Sequence, residues 1–542
     1  MRTVREELQM RPHPRIGRHG ARLVALAAAL LAASVVAAPA GADPTSTSTT
    51  PAGLALPPPS LPGVAPLPGP LAAAAQPSPS MGVLQVSPEE GVAGTPFTVT
   101  GAHLPADAAV QLTWSTADVT WVADPEPDSV NYLGRSATKL AVVLATATTD
   151  AGGSFSVKLT APHDWGGVHD LYAVVGGTED AHGGFVVERS VTVTPRRGPV
   201  GTPITVTYSG LGASLYEGGA SLLWDNHFVG EMTANWTRGT AVAVIRAAGP
   251  VGPHTIEVGD AVGPLYLNIQ QSPLPFALGG TVGFEVTKDG GRPRPSIDWP
   301  RHVTPTVSAR TTLQASGLSK AVGARVALAS TSGAVHSSDV VTASGLTSAA
   351  PVQLVWSTVV GSRVNCTSTC WSFVSDPLGT ATPSDGTLTA RIHIPDGLGG
   401  WHVVQLVQGG QTVGQVPFYV KESVVGRGVS QLVLHQGEAF TVHLKGVGWT
   451  QLDNTVAVDY DNSFIGYGCG FNSNGDVVLQ LHATGGPGTH LIDIYPELYT
   501  QQPSFPNTPY GMVPILTYAS DDPGLALGYQ LPAIRLAITV VP

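Results

Sequence analysis

The sequence predicts an all-β chain built from four similar modules, and three observations predict it. A short stretch, Gly-x-His followed by alternating apolar residues, occurs four times. Gly and Pro number 64 and 46, while charged residues make up only 12%, a mix that suits extended strands joined by turns. Long helical patterns are almost absent after the first 40 residues.

The recurring stretch reads Gly167-Val168-His169 before Leu171, Ala173 and Val175, then Gly252-Pro253-His254 before Ile256 and Val258. It returns as Gly400-Trp401-His402 before Val404 and Leu406, and as Gly488-Thr489-His490 before Ile492. Period-2 alternation predicts a half-buried strand, and the Gly predicts the turn that enters it.

Longer repeats order the modules. Residues 201–258 align with 437–494 at a constant offset of 236 without a gap: Asp225-Asn226-His227-Phe228-Val229-Gly230 matches Asp461-Asn462-Ser463-Phe464-Ile465-Gly466. Val110-Gln111-Leu112-Thr113-Trp114-Ser115-Thr116 matches Val352-Gln353-Leu354-Val355-Trp356-Ser357-Thr358. The chain is therefore a duplicated two-module unit, A-B-A′-B′. The expected boundaries are 83–192, 193–288, 305–421 and 422–542, with a Pro- and Tyr-rich insert in the last module. Residues 289–304, containing Gly290-Gly291-Arg292-Pro293-Arg294-Pro295, break all periodicity and read as a linker,.

The amino end has the pattern of a signal peptide. Arg11, Arg15, Arg18 and Arg22 precede an apolar run from Leu23 to Ala38, and Ala40-Gly41-Ala42 fits a small-residue cleavage site,. Residues 1–42 are expected to be removed, leaving no transmembrane anchor. That takes away six Arg and two Glu and moves the formal net charge from −11 to −15. An acidic surface argues against nucleic acid as a partner. Residues 43–82, rich in Pro, Ala, Ser and Thr, are expected to be a disordered linker,.

The Pro…Gly…Gly-Thr-Pro-x-Thr-Val-Thr-Gly opening, as in Gly94-Thr95-Pro96-Phe97-Thr98-Val99-Thr100-Gly101, resembles bacterial immunoglobulin-like domains of the IPT/TIG kind, and so does the later Gly-x-His strand. The resemblance implies tandem antiparallel β-sandwiches of about seven strands each. Such modules serve as spacers, adhesive stalks or ligand-binding surfaces, and fold analogy does not choose among these.

Candidate chemistry is sparse. His169, His254, His402 and His490 are expected to be structural, each donating a ring N–H to a loop carbonyl and locking a corner. Asp124, Glu126 and Asp128 are the best isolated calcium candidates, with a solvated acidic loop as the plainer reading. Asp225-Asn226 and Asp461-Asn462 read as tight hairpin turns. Cys366 and Cys370 share one loop and are expected to pair, leaving Cys469 to bridge another chain or none. Trp114 and Trp356 fall on the apolar phase of a strand and read as core. Trp121, Trp371, Trp401, Tyr499 and Tyr510 are the candidates for an exposed ligand surface, with Tyr132, Tyr495 and Tyr518 beside them; aromatic faces suit sugar rings.

No Gly-x-Ser-x-Gly, His-Glu-x-x-His or P-loop occurs,, and no cofactor is implied. The leading expectation is an extracellular, secreted or envelope-associated protein that is adhesive or structural and not catalytic, contacting a cell-surface protein or polysaccharide through its loops. An extracellular glycan-binding protein is the alternative, and an enzyme with a site not legible in the sequence is the third.

Overall fold

The computed structural model describes residues 65–126, 129–213, 219–234, 237–259, 278–298, 323–361, 371–426, 432–448, 455–470, 472–501, 509–517 and 533–542, with isolated positions at 54–55, 270, 312–313 and 321. Side chains are described at these positions except 54–55, 120–136, 278–279, 312–313, 359, 361, 371–373 and 498–512. Residues 50–542 form one compact unit, and every regular element among the described residues is a strand. The fold is all-β and immunoglobulin-like.

Four pairs of sheets account for it. In the second module, Ser190–Thr194, Pro203–Ser209 and Thr240–Arg246 make a three-stranded sheet. It faces a five-stranded sheet ordered Arg197–Gly198, Leu278–Val286, Gly252–Gly259, Gly219–Trp224 and His227–Thr233. Alternation explains the pairing of faces: in Pro203–Ser209 the residues Ile204, Val206 and Tyr208 are fully buried and the intervening ones are not. The third module repeats this order with Arg325–Leu328, Ser338–Ser344 and Thr387–His393 against a sheet ending in Gly400–Gln408, Val352–Gly361 and Trp371–Ala381. Cores of Val, Leu, Ile and two or more large aromatics fill each module.

The Asp-Asn turns have the geometry that their residues allow. Asp225 and Asn226 have φ of 48° and 65°, and Asp461 and Asn462 have 48° and 60°. Two successive positive φ values define the primed turn that matches the twist of a hairpin.

Three expectations need correction. Residues 65–83 belong to the fold: Gln76–Val83 pairs in parallel with Thr178–Glu188, and Val143 donates its N–H to the Pro70 carbonyl at 2.8 Å. Proline removes a donor but keeps its carbonyl, so a Pro-rich segment can serve at a sheet edge. The expected linker contributes Ser296–Asp298, which pairs antiparallel with Ala533–Val541. Three residues carry no readable period, and their partner lies at the far end of the chain. The acidic loop is a strand at its start: Ala109–Glu126 runs through Asp124, which lies opposite Asn131. Asp128 lies outside the described residues, as do the side chains of Asp124 and Glu126.

The same joint is made twice between modules A and B. Gly166 donates its N–H to the Leu211 carbonyl at 2.8 Å, and Gly399 donates to the Val447 carbonyl at 3.0 Å. The backbones are in close contact. A Cβ on Gly166 would stand 1.7 Å from the Gly210 oxygen, and one on Gly399 would stand 1.8 Å from the Gly446 oxygen. Both Gly210 and Gly446 have positive φ, 84° and 70°. Only glycine fits where two chains approach so closely.

Gly399→Ala should therefore open the joint between modules three and four, at a cost of about 1–3 kcal/mol from the forced backbone shift. Hydrogen exchange at Val447 and the thermal midpoint should both report it. Gly283→Ala, where a Cβ meets nothing within 4 Å, should change neither.

Candidate functional site

The four recurring histidines sit at equivalent corners, and each ring lies against an aromatic ring of the neighbouring strand. His169 stacks on Trp114 with centroids 4.2 Å apart, His254 on Trp224 at 5.0 Å, His402 on Trp356 at 4.7 Å and His490 on Tyr460 at 5.6 Å. Each Nε2–H donates to the carbonyl four residues earlier. The acceptors are Trp165 at 2.7 Å, Pro250 at 2.7 Å, Leu398 at 2.8 Å and Gly486 at 2.7 Å. The ring thus closes the Gly-rich turn that enters its own strand.

The other nitrogen divides the modules into two kinds. In module one, Nδ1 of His169 faces the Ser115 carbonyl at 2.6 Å. In modules two and four, Nδ1 meets a carboxylate from the Asp-Asn turn: Asp225 to His254 and Asp461 to His490, both at 2.5 Å. The second oxygen of each aspartate accepts the N–H of the residue after the histidine, Thr255 and Leu491, both at 2.8 Å. Asp461 is thereby committed to the corner, which answers why an Asp opens both turns.

The environments push two of the rings in opposite directions. Burial lowers the pKa of His402 to about 4. Burial also acts to lower His490, but its contact with Asp461 outweighs this, and the pKa is raised. His402 therefore stabilises module three fully above its unfolded value and loses that contribution as pH falls toward 4. His490 does the reverse, contributing at low pH and losing its effect as pH rises through its folded value.

A second constellation lies where modules two and four meet, and no sequence signal marked it. Asp459 and Asp493 are directly opposite one another on Thr455–Tyr460 and Gly488–Gln501. Arg246 of module two lies 2.7 Å from Asp493, and Arg535 lies 3.3 Å from it. Arg535 also reaches Asp298 at 3.1 Å, donates to the Tyr495 hydroxyl at 2.6 Å and donates to the Val244 carbonyl of module two at 2.7 Å. The Asn462 side-chain amide donates to the Arg246 carbonyl at 2.6 Å. Leu491, Tyr495, Leu516 and Ala537 of module four join the core of module two.

Both oxygens of Asp459 are buried without a hydrogen-bond partner. Burial raises its pKa well above the carboxylate range, and the nearby Asp493 charge adds to this. Burial pushes Glu497 up to about 8, with the Thr455 hydroxyl opposing. Arg246 and Arg535 face the carboxyl groups of Asp493 and Asp298. Asp459 and Asp493 are a carboxylate pair of the kind a hydrolase uses, yet they are 0% and 1% exposed, so no substrate reaches them.

The predicted ligand-surface residues are not brought together as a described surface. Trp401 is only 9% exposed and packs edge-on to Tyr419 at 5.2 Å; Tyr495 is 2% exposed. Tyr495 is buried because its face joins the core of module two. Trp121 and Trp371 lie on strands, and Tyr499 and Tyr510 lie on paired strands with Tyr510 opposite Thr500, but the side chains of all four lie outside the described residues, as do those of Tyr132, Cys366, Cys370 and Tyr518. Trp114 and Trp356 are 0% and 3% exposed, in the cores where their strand phase puts them. Cys469 is exposed at the end of Ser463–Cys469.

Among the described residues no three His, Cys, Asp or Glu side chains converge as metal ligands, and no helix is long and apolar enough to cross a membrane. A cavity of about 660 Å³ opens in module one. Ser78 and Ser80 of the amino-terminal strand line it with Thr100, His103, Phe155 and Asp180.

No protein-family profile matches the sequence, and neither does any curated protein. Solved structures similar to this chain include FdeC, an Escherichia coli adhesin, at 14% identity and a TM-score of 0.15 over 65% of this chain and 98% of that one. The D1–D4 ectodomain fragment of ICAM-5 is similar at 12% identity and a TM-score of 0.14, over 80% of this chain and 99% of that one. E. coli alpha-2-macroglobulin is similar at 8% identity and a TM-score of 0.15, over 84% of this chain and 30% of that one. At these TM-scores nothing is carried over to this chain.

Two pH effects follow. Acidification from about pH 7 to about pH 4.5 should lower the hydrogen-exchange protection factors, corrected for the intrinsic pH dependence of exchange, in Gly400–Gln408 more than in Gly488–Gln501, because of the two histidines only His402 gains a proton on unfolding across that window,. An equal loss of protection would mean that His402 is not held neutral. Glu497 has the opposite sign: its folded pKa is raised, so its stabilisation is present at low pH and lost as pH rises from its unfolded value through about 8,. Glu497→Gln should raise the thermal midpoint at about pH 8 and change it little at about pH 4.5, corresponding to a gain on the order of a few kcal/mol.

Proposed function

We propose that this chain is a non-catalytic extracellular protein, secreted or associated with the cell envelope, that presents binding loops on a rigid array of immunoglobulin-like sandwiches, with the IPT/TIG kind as the finer family reading. The observation that carries the proposal is the repeated joint. The same backbone hydrogen bond and the same glycine contact fix A to B and A′ to B′, and a buried ionic contact fixes B to B′. Such locking costs chain entropy and serves a protein whose task is to hold surfaces at fixed spacing. Duplicated surfaces give avidity to a binder. The signal-peptide pattern at residues 1–42 supports an extracellular location. The partner is a cell-surface protein or polysaccharide rather than nucleic acid.

Glycan binding is the second reading, and the module-one cavity favours it. Hydroxyls of Ser78, Ser80 and Thr100 beside Phe155 combine polar contacts with an apolar surface, as ligand pockets do.

Co-sedimentation of residues 43–542 with washed bacterial envelopes and with insoluble polysaccharides, with and without calcium, separates the readings. Retention by envelopes alone supports adhesion. Retention by polysaccharide that is lost in Asp180→Ala, with unchanged folding, places glycan binding in the module-one cavity; loss in Tyr499→Ala or Tyr510→Ala places it on the module-four insert. Calcium dependence revives the Asp124–Asp128 site. Retention by neither fraction rejects both readings.

A further inference from the structure

The amino-terminal strand does not run evenly along module one. In Gln76–Val83, Gln76 and Pro77 lie beside Thr178 and Glu179, and Gly82 and Val83 lie beside Ala181 and His182. Ser78, Pro79, Ser80 and Met81 are thus set against Asp180 alone, and none of them has a partner in the ladder. A strand with surplus residues bows away from its neighbour, and such bulges re-aim side chains. Pro79 suits the bow, since it has no N–H to leave unpaired. The cavity of about 660 Å³ is lined by Ser78 and Ser80 of this arch and by Asp180, and its volume is in the range of sites that hold small ligands.

The rest of the lining is polar but carries little charge. Thr100 and Ser154 add hydroxyls to those of the arch, and Gln85 adds an amide. Phe155 supplies an apolar wall: its ring lies so close to Gly101 that a Cβ there would stand 2.4 Å from it. Among the described residues no lysine or arginine lines the cavity, and Asp180 is its one carboxylate. Asp180 is half-buried, and no ion pair or hydrogen bond of its side chain occurs among the described residues.

We propose that this cavity holds a neutral sugar and rejects sugars that carry carboxylate, sulfate or phosphate. The inference rests on the glycan reading and names the ligand class for it. A carboxylate accepts hydrogen bonds and donates none, so Asp180 can take two hydroxyls of one sugar ring, while the serine and threonine hydroxyls both donate and accept. The apolar C–H face of the sugar packs against Phe155. An acidic group would have to shed its water beside an unpaired carboxylate with no cation to meet it. Selectivity then comes from a repulsive element built into the site, not from a contact that attracts. The formal net charge of −11 acts in the same direction,.

The test is co-sedimentation of residues 43–542 with cellulose, chitin and mannan as neutral matrices, and with phosphocellulose and insoluble carboxymethylcellulose as acidic forms of the first. The chain should be retained by at least one neutral matrix and by neither acidic one. Asp180→Lys should weaken neutral retention about tenfold or more with an unchanged thermal midpoint. Asp180→Asn, which keeps the shape of the side chain, should weaken it in the same direction. Glu285→Lys, the same change of charge at an exposed position of module two, should leave it intact. Acidic matrices that retain the chain as well as neutral ones overturn the proposal and leave glycan binding standing. So does neutral retention that survives Asp180→Lys, or that is lost equally in Glu285→Lys. Retention by no matrix overturns the proposal and the glycan reading together.

Discussion

A strand edge must meet something, and this constraint organises the molecule. With no regular helix among the described residues, none is available there to cover a sheet, and several edges are closed by chain from elsewhere,. The amino-terminal segment closes module one, running beside Thr178–Glu188 on one side and touching 141–143 on the other. Ser296–Asp298, between the two halves, becomes an outer strand of module four. The module-four insert reaches back to His227–Thr233. Segments that look like spacers are what tie the halves together.

The histidine corner shows how much of the fold was legible locally. Gly-x-His, the following alternation and the Asp-Asn turn are all short-range, and they place the strand, the turn and the ring. The carbonyl acceptor lies four residues earlier in each case, within the stretch a local reading covers. The aromatic beneath the ring was less legible. Trp114, Trp224 and Trp356 mark it in three modules, but Tyr460 replaces it in the fourth, so the four could be aligned only once the sheets were seen.

What was not legible shares one physical cause, contact between residues far apart in sequence. Asp459, Asp493 and Glu497 occupy the phase that alternation assigns to solvent, and they are buried because module two lies over that face. The same holds for Tyr495, read as surface and found buried. Alternation tells which residues share a face; it does not tell whether another module covers that face. The segment at 65–83 was misread for the complementary reason. Its composition cannot form a core, yet an edge strand needs only backbone groups.

The contact between modules two and four turns these separate facts into one argument. A buried ionic cluster is seldom a source of net stability, because desolvation offsets the attraction. It is selective, however: Arg246 and Arg535 find carboxylate and carbonyl partners only when the two modules meet in one orientation. Module two therefore gives one of its flanks and its edge to module four.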